Sequence, residues 1–140
     1  MILLVEDNED DVFIMKRVLK HLPQAPPMHI AVNGRDAMDY LQAVGKFADR
    51  ATYPIPSLIF LDLKLPILHG FQVLDWMSQQ PVLKDIPVAV LTSSAEASDR
   101  AEAFRLGAKT FLVKPPTPET VGKLIQEASA RSTNGFKESS

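Results

Sequence analysis

Hydrophobic residues in this chain gather in short unbroken runs, and each run ends on charge or hydroxyl. Ile2-Leu3-Leu4-Val5 ends on Glu6-Asp7, and Leu58-Ile59-Phe60-Leu61 ends on Asp62. Val88-Ala89-Val90-Leu91 ends on Thr92-Ser93, and Phe111-Leu112-Val113 ends on Lys114-Pro115. Runs this short and this apolar predict strands covered on both faces, as in a parallel sheet layered between helices. A weaker alternation through Met28, Ile30 and Val32 predicts one more strand.

Between the strands the period changes to that of a helix. Asn8 is placed to cap a first helix with an acidic first turn (Glu9, Asp10, Asp11), which suits the positive end of the dipole. Val12, Met15, Leu19 and Leu22 mark its apolar face, and Pro23 with Pro26-Pro27 stops it. Asn33-Gly34 opens a second helix carrying Ala37, Leu41 and Val44, with Gly45 expected to close it. Residues 46–57 form a longer connection containing Tyr53-Pro54-Ile55-Pro56, whose prolines favour extended surface backbone. Phe71, Leu74 and Met77 give the third helix a core face. Ser94 is expected to cap a fourth, with Ala97, Ala101, Phe104 and Leu106 apolar and Gly107 closing it. Thr117-Pro118 reads as a cap followed by proline at the first helical position. Val121, Leu124, Ile125 and Ala128 supply the last stripe, and from Ser129 the polar composition predicts a frayed tail. The order is (βα)5, and crossovers of this length require parallel strands. The expected architecture is one α/β domain over residues 1–128, a doubly wound five-stranded sheet of flavodoxin-like type, with a polar tail over 129–140.

At 140 residues the chain is long enough for one ordinary core. A formal net charge of -2 gives no attraction to nucleic acid or an anionic membrane. The chain contains no cysteine, which excludes disulfides, thiolate metal sites and cysteine nucleophiles and suits the cytoplasm. No apolar run approaches the length of a membrane span. The apolar N-terminus has no basic residues ahead of it and is followed at once by acids, unlike a secretory signal.

In an open parallel α/β sheet, ligands bind outside the carboxyl ends of the strands. Glu6, Asp7, Asp62, Thr92 and Lys114 would therefore converge on one patch. Carboxylates held close together repel, and they must bind a proton or a cation. A hard dication such as Mg²⁺ suits an all-oxygen set and often shares its shell with phosphate. Taken singly, each residue also has a plain reading. Asp62 can cap a turn, Glu6 and Asp7 can begin a helix, and Lys114 can be a solvated lysine. Lys16, Arg17, Lys20 and His21 read as a solvated helix face. His21, His29 and His69 lack metal-ligand spacing and are assigned no chemistry.

Glu6-Asp7, Asp62 followed by Leu65-Pro66 and Gly70, Thr92-Ser93, and Lys114-Pro115 resemble the signature of two-component response-regulator receiver domains. The resemblance runs from Met1 to about Ala128. With its Asn8-Glu9-Asp10-Asp11 run, long second loop and Leu63-Lys64-Leu65-Pro66 stretch, the chain is most similar to stand-alone receivers of cyanobacterial phytochrome kinases. The resemblance implies that Asp62 takes a phosphoryl group from a sensor histidine kinase, of phytochrome type, without acting as an enzyme on other substrates. It implies that Asp7, Asp62 and the backbone carbonyl of Lys64 hold Mg²⁺ directly and that Glu6 holds it through water. It further implies that Lys114 and Thr92 contact the phosphoryl oxygens, that a cis bond precedes Pro115, and that Thr92 and Phe111 form the switch. Phe111 stands where many receivers carry a tyrosine, so its inward state would rest on packing alone. The resemblance also implies a homodimer through the face of the fourth helix, fifth strand and fifth helix, with Phe104, Val121 and Leu124 near its edge. A chain ending soon after its last helix is expected to carry no output module.

The competing reading is a Mg²⁺-dependent phosphohydrolase with Asp62 as nucleophile. Such enzymes usually place a second acid two residues on, where this chain has Lys64.

Overall fold

A computed structural model describes the backbone of residues 1–139 and the side chains of residues 1–130. Five parallel strands, β1 (Ile2–Val5), β2 (Met28–Ala31), β3 (Leu58–Leu61), β4 (Val88–Thr92) and β5 (Thr110–Val113), form one sheet in the order β2-β1-β3-β4-β5. The helices α1 (Glu9–Lys20), α2 (Gly34–Gln42), α3 (Gly70–Ser78), α4 (Ala97–Arg105) and α5 (Pro118–Ser139) alternate with the strands. The (βα)5 order expected from the hydrophobic runs is the one observed, and no helix among the described residues is long and apolar enough to cross a membrane.

Alternation along each strand divides the core into two layers. Leu3, Val5, Ile59, Leu61, Val88 and Val90 pack with residues of α2, α3 and α4, including Ala37, Leu41, Leu74, Met77 and Ala103. Ile2, Leu4, Leu58, Phe60, Ala89 and Leu91 face the other way, onto Met15 and Val18 of α1 and Val121, Leu124 and Ile125 of α5. Both faces of the sheet are thus covered, which is why the strands carry no polar alternation.

Asn8 accepts from the Asp11 N–H and Asn33 from the Asp36 N–H, so both expected caps are in place. Thr117 Oγ1 accepts from the Thr120 N–H ahead of Pro118, as expected for α5. Other boundaries differ. α2 ends at Ala43, whose φ of 57° and ψ of 48° make it a left-handed cap, and Gly45 instead opens a short 3₁₀ turn (Gly45–Phe47). Val44 therefore leaves the helix and is exposed rather than core. Helix α4 begins after Glu96, two residues past the expected cap. Ser94 Oγ still accepts from the Glu96 N–H and donates to Asp99 in the first turn, so it steadies the helix entry from outside. The backbone of α5 continues past Ser129 to Ser139, where a tail was expected; no proline interrupts it there. Side chains of residues 131–140 lie outside the described residues.

The long connection before β3 is pinned onto the β2 side of the sheet. His29 of β2 meets Tyr40, Phe47 and Tyr53 at ring centroids of 4.8, 5.4 and 5.6 Å. Arg50 donates to the carbonyls of Tyr40, Leu41 and Tyr53, which satisfies the open end of α2. Burial pulls the His29 pKa below its ordinary 6.5; Asp36 opposes this shift and Lys46 adds to it. The unfolded histidine titrates near 6.5, so below about that pH the unfolded chain binds a proton that the folded one resists, and stability falls. His29→Phe should lose this component. Urea unfolding at pH 7.5 and 5.5 should show a larger acid-side loss for wild type than for the variant; parallel losses would discard the assignment.

Candidate functional site

Strand register fixes the site before any side chain is considered. Val5 pairs with Leu61, Leu61 with Val90, and Thr92 with Val113. Glu6, Asp62 and Lys114 each continue the ladder by one step: their N–H groups donate to Ala31, Val5 and Thr92 respectively. The polar residue ending each apolar run therefore arrives at one rim. Glu6, Asp62 and Thr92 are buried there, and Asp7 is exposed.

One oxygen from each of Glu6, Asp7 and Asp62 falls within a set whose members all lie within 4.8 Å of one another. Three carboxylates at that separation fit a small oxygen-preferring dication. Lys114 reaches across the end of β4 to the same place. Its Nζ lies 2.6 Å from Glu6 Oε1, 2.7 Å from Asp11 Oδ2 and 3.0 Å from Asp62 Oδ2. A cis peptide joins Lys114 to Pro115, as expected.

Electrostatics follow from this crowding. Burial pushes the Glu6 carboxyl up to about 7; the hydrogen bond from Lys114 works against that shift and the nearby Asp62 charge adds to it. For Lys114, burial works against the ammonium. Hydrogen bonds to Asp11, Glu6 and Asp62 outweigh it and hold the pKa above the ordinary lysine range. Lys114 therefore stays charged, while Glu6 holds its charge less firmly than an ordinary glutamate.

The floor of the site is backbone. Gly70, at the start of α3, donates its N–H to the Leu63 carbonyl at 2.8 Å. A Cβ at position 70 would lie 2.5 Å from the Asp62 carbonyl oxygen. His69, given no role from sequence, caps α3: Nδ1 accepts from the Phe71 N–H while Gln72 accepts from the His69 N–H. The Lys64 N–H lies 3.3 Å from Asp62 Oδ1. Thr92 Oγ1 accepts from the Ser94 N–H at 3.3 Å. Phe111 is buried, with the Arg100 guanidinium 5.9 Å from its ring centroid.

The placement of two residues needs correction and one residue is new. Val121 and Leu124 are buried in the layer beneath α5 and do not edge the α4–β5–α5 face, whereas Phe104 does stand out at 40 % exposure. Asp11, read from sequence only as a dipole-favouring acid, is a direct partner of Lys114. No local spacing signals that pair, because 103 residues separate its members.

The sequence model of the response regulator receiver domain matches residues 2–126. The chain belongs to that family. This receiver is 36% identical over 126 residues to the response regulator Rcp1 of Synechocystis, covering 90% of this chain and 84% of the relative. The crystal structure of the Mn²⁺-bound form of Rcp1 aligns with a TM-score of 0.75 at 36% identity, over 90% of this chain and 88% of that one. The phosphorylated cyanobacterial phytochrome response regulator RcpA aligns with a TM-score of 0.76 at 30% identity, over 90% and 88% of the two chains. The flavodoxin-like expectation thus holds at the level of whole structures. A signalling domain, built to accept a phosphoryl group, is what this family supplies.

Proposed function

We propose that Asp62 of this receiver accepts a phosphoryl group from the phosphohistidine of a sensor kinase of phytochrome type. One observation carries the proposal: a buried aspartate lies within reach of both an ammonium and two further carboxylates able to share a dication. An Asp62 oxygen attacks phosphorus, the P–N bond breaks, and the imidazole nitrogen keeps the electron pair and later takes a proton. Phosphoryl transfer asks a protein chiefly for placement and charge compensation. Glu6, Asp7, Asp62 and the Lys64 carbonyl would hold Mg²⁺, which when bound neutralises charge on the transferring group. Lys114 offsets further negative charge from the β5 side, and the Thr92 hydroxyl, buried one strand away, is the donor that turns toward a new phosphoryl oxygen.

The output follows from that movement. Thr92 leaving its contact with the Ser94 N–H opens space that Phe111 repacks, which alters the face formed by α4, β5 and α5. Phe104 and Val113 are 40 % and 46 % exposed on these elements, which supports a homodimer there. The relation to Rcp1 and RcpA supports the phytochrome link, and the absence of cysteine accords with a cytoplasmic setting. The signalling unit is residues 1–128, with 129–140 outside it.

Incubation with acetyl phosphate and Mg²⁺, followed by intact-mass analysis, tests this directly. Wild type should gain one phosphoryl group only with the metal, and Asp62→Asn should gain none. Light scattering on the same samples should show phosphorylation shifting the protein toward dimer. Label retained in Asp62→Asn would remove Asp62 from its role, and sustained release of phosphate over many turnovers would indicate a phosphohydrolase.

A further inference from the structure

Lys114 has three ammonium N–H groups, and three carboxylates surround it: Glu6, Asp62 and Asp11. The first two also belong to the acidic set suited to a dication; Asp11 does not. We propose that Asp11 is a positioning residue for phosphoryl transfer, holding the Lys114 ammonium beside Asp62 when a metal ion and the incoming phosphoryl group compete for the other carboxylates. The proposal rests on Asp62 being the phosphoacceptor.

Geometry and chain order carry it. β4 lies between β5 and β3, so Lys114 must extend across the end of β4 to reach Asp62. A lysine side chain has much rotamer freedom to lose, and a long reach needs a second anchor at its far end. Asp11 supplies that anchor from α1, on the far side of the site. Its own position is fixed, since its N–H is tied to the Asn8 cap at 3.1 Å and its side chain is only 29 % exposed. The Nζ–Asp11 distance of 2.7 Å is also shorter than the 3.0 Å to Asp62. A dication among Glu6, Asp7 and Asp62 repels the ammonium and satisfies those oxygens. Without Asp11, nothing among the described partners of Lys114 would then keep it from swinging outward. With Asp11, one N–H stays anchored and two remain to meet phosphoryl oxygens.

The opposite possibility is open to the same experiment. Asp11 is negative and close to the incoming phosphoryl group, so its charge alone would slow the reaction. Asp11→Asn keeps the backbone cap while removing the anchor. Asp10→Asn makes the same charge change one residue away, at an exposed position that is not a Lys114 partner. Phosphorylation by acetyl phosphate at saturating Mg²⁺ should be about fivefold slower in Asp11→Asn, a modest barrier change. It should be near wild type in Asp10→Asn and largely restored in Asp11→Glu. Mg²⁺ affinity, by calorimetry, should change less than the rate.

A second measurement needs no metal. The Lys114 ammonium protons should be visible by ¹⁵N NMR in metal-free wild type, protected by their three partners, and should exchange measurably faster in Asp11→Asn. Phosphorylation of Asp11→Asn at or above the wild-type rate, or equal slowing in Asp10→Asn, would overturn the positioning role. Failure of wild type itself to gain a phosphoryl group would instead overturn the assignment of Asp62, so the two failures are distinguishable.

Discussion

Gly70→Ala should destabilise the protein by about 3 kcal/mol or more and block phosphorylation of whatever protein remains folded. Helix propensity alone predicts the opposite sign, since alanine at the first helical position is favoured over glycine by up to about 1 kcal/mol. Sterics decide. The new Cβ would lie 2.5 Å from the Asp62 carbonyl oxygen, 2.7 Å from Leu63 Cα and 3.2 Å from the Asp62 carbonyl carbon. All three atoms are backbone, so no side chain can rotate away. Either α3 moves outward, losing the Gly70 N–H bond to Leu63, or the end of β3 moves and takes Asp62 with it. Gly122→Ala is the matched control. Its Cβ would meet only the Leu22 side chain, at 3.2 Å, and that leucine can adjust. Thermal melts of both variants, with mass analysis after acetyl phosphate, check the prediction; a Gly70→Ala protein as stable as Gly122→Ala would refute it.

Gly70 was legible as part of a motif but not as a contact. The spacing from Asp62 to Gly70 appears in the sequence, whereas the reason for it, helix α3 abutting the end of β3, needs the chain folded. The same division runs through the fold. Strands β1, β3 and β4 could be read because both of their faces are buried, which removes every polar residue until the strand ends. That termination then named the site, because a strand's last step delivers its next residue to the rim. Strand β2 was weaker in sequence because it is an edge with only Ala31 fully buried. The end of α2 was misplaced because glycine is the expected left-handed residue there, yet Ala43 adopts that conformation and Gly45 turns the chain afterward. Val121 and Leu124 were set near a surface by the resemblance, although both also belong to the apolar stripe of α5, and the stripe is the reading that holds: both pack beneath that helix. Asp11 escaped for a different reason. An acid in a helix's first turn already has a sufficient local explanation, and only the order of strands brings Lys114 to it.

Lys114→Met should have the largest effect on the chemistry, with a rate loss of roughly 100-fold in phosphorylation, in the range seen when one stabilising charge is removed from a reacting group. Methionine keeps the length and apolar body of the side chain and deletes the charge. Three carboxylates then share a pocket with no ammonium between them. Breaking a buried ion network by removing one member costs about 3–5 kcal/mol. The Lys114 side chain is 13 % exposed and Asp11 more so, which places this case nearer about 2–3 kcal/mol at pH 8 without metal. Glu6 modifies that cost with a definite sign. Its carboxyl sits at about 7 with Lys114 present, and loss of the ammonium that opposes the shift drives it higher. The folded variant then takes up a proton more readily than the unfolded chain, so the deficit shrinks as pH falls toward 6. Mg²⁺ should act in the same direction: it supplies the missing positive charge and no longer competes with Lys114 for Glu6 and Asp62. Its affinity is expected to rise about tenfold while phosphorylation falls. Urea unfolding at pH 8 and 6, with and without Mg²⁺, together with calorimetric titration, tests each part. Weaker Mg²⁺ binding in Lys114→Met would show that the lysine helps assemble the acidic site instead of opposing the cation within it.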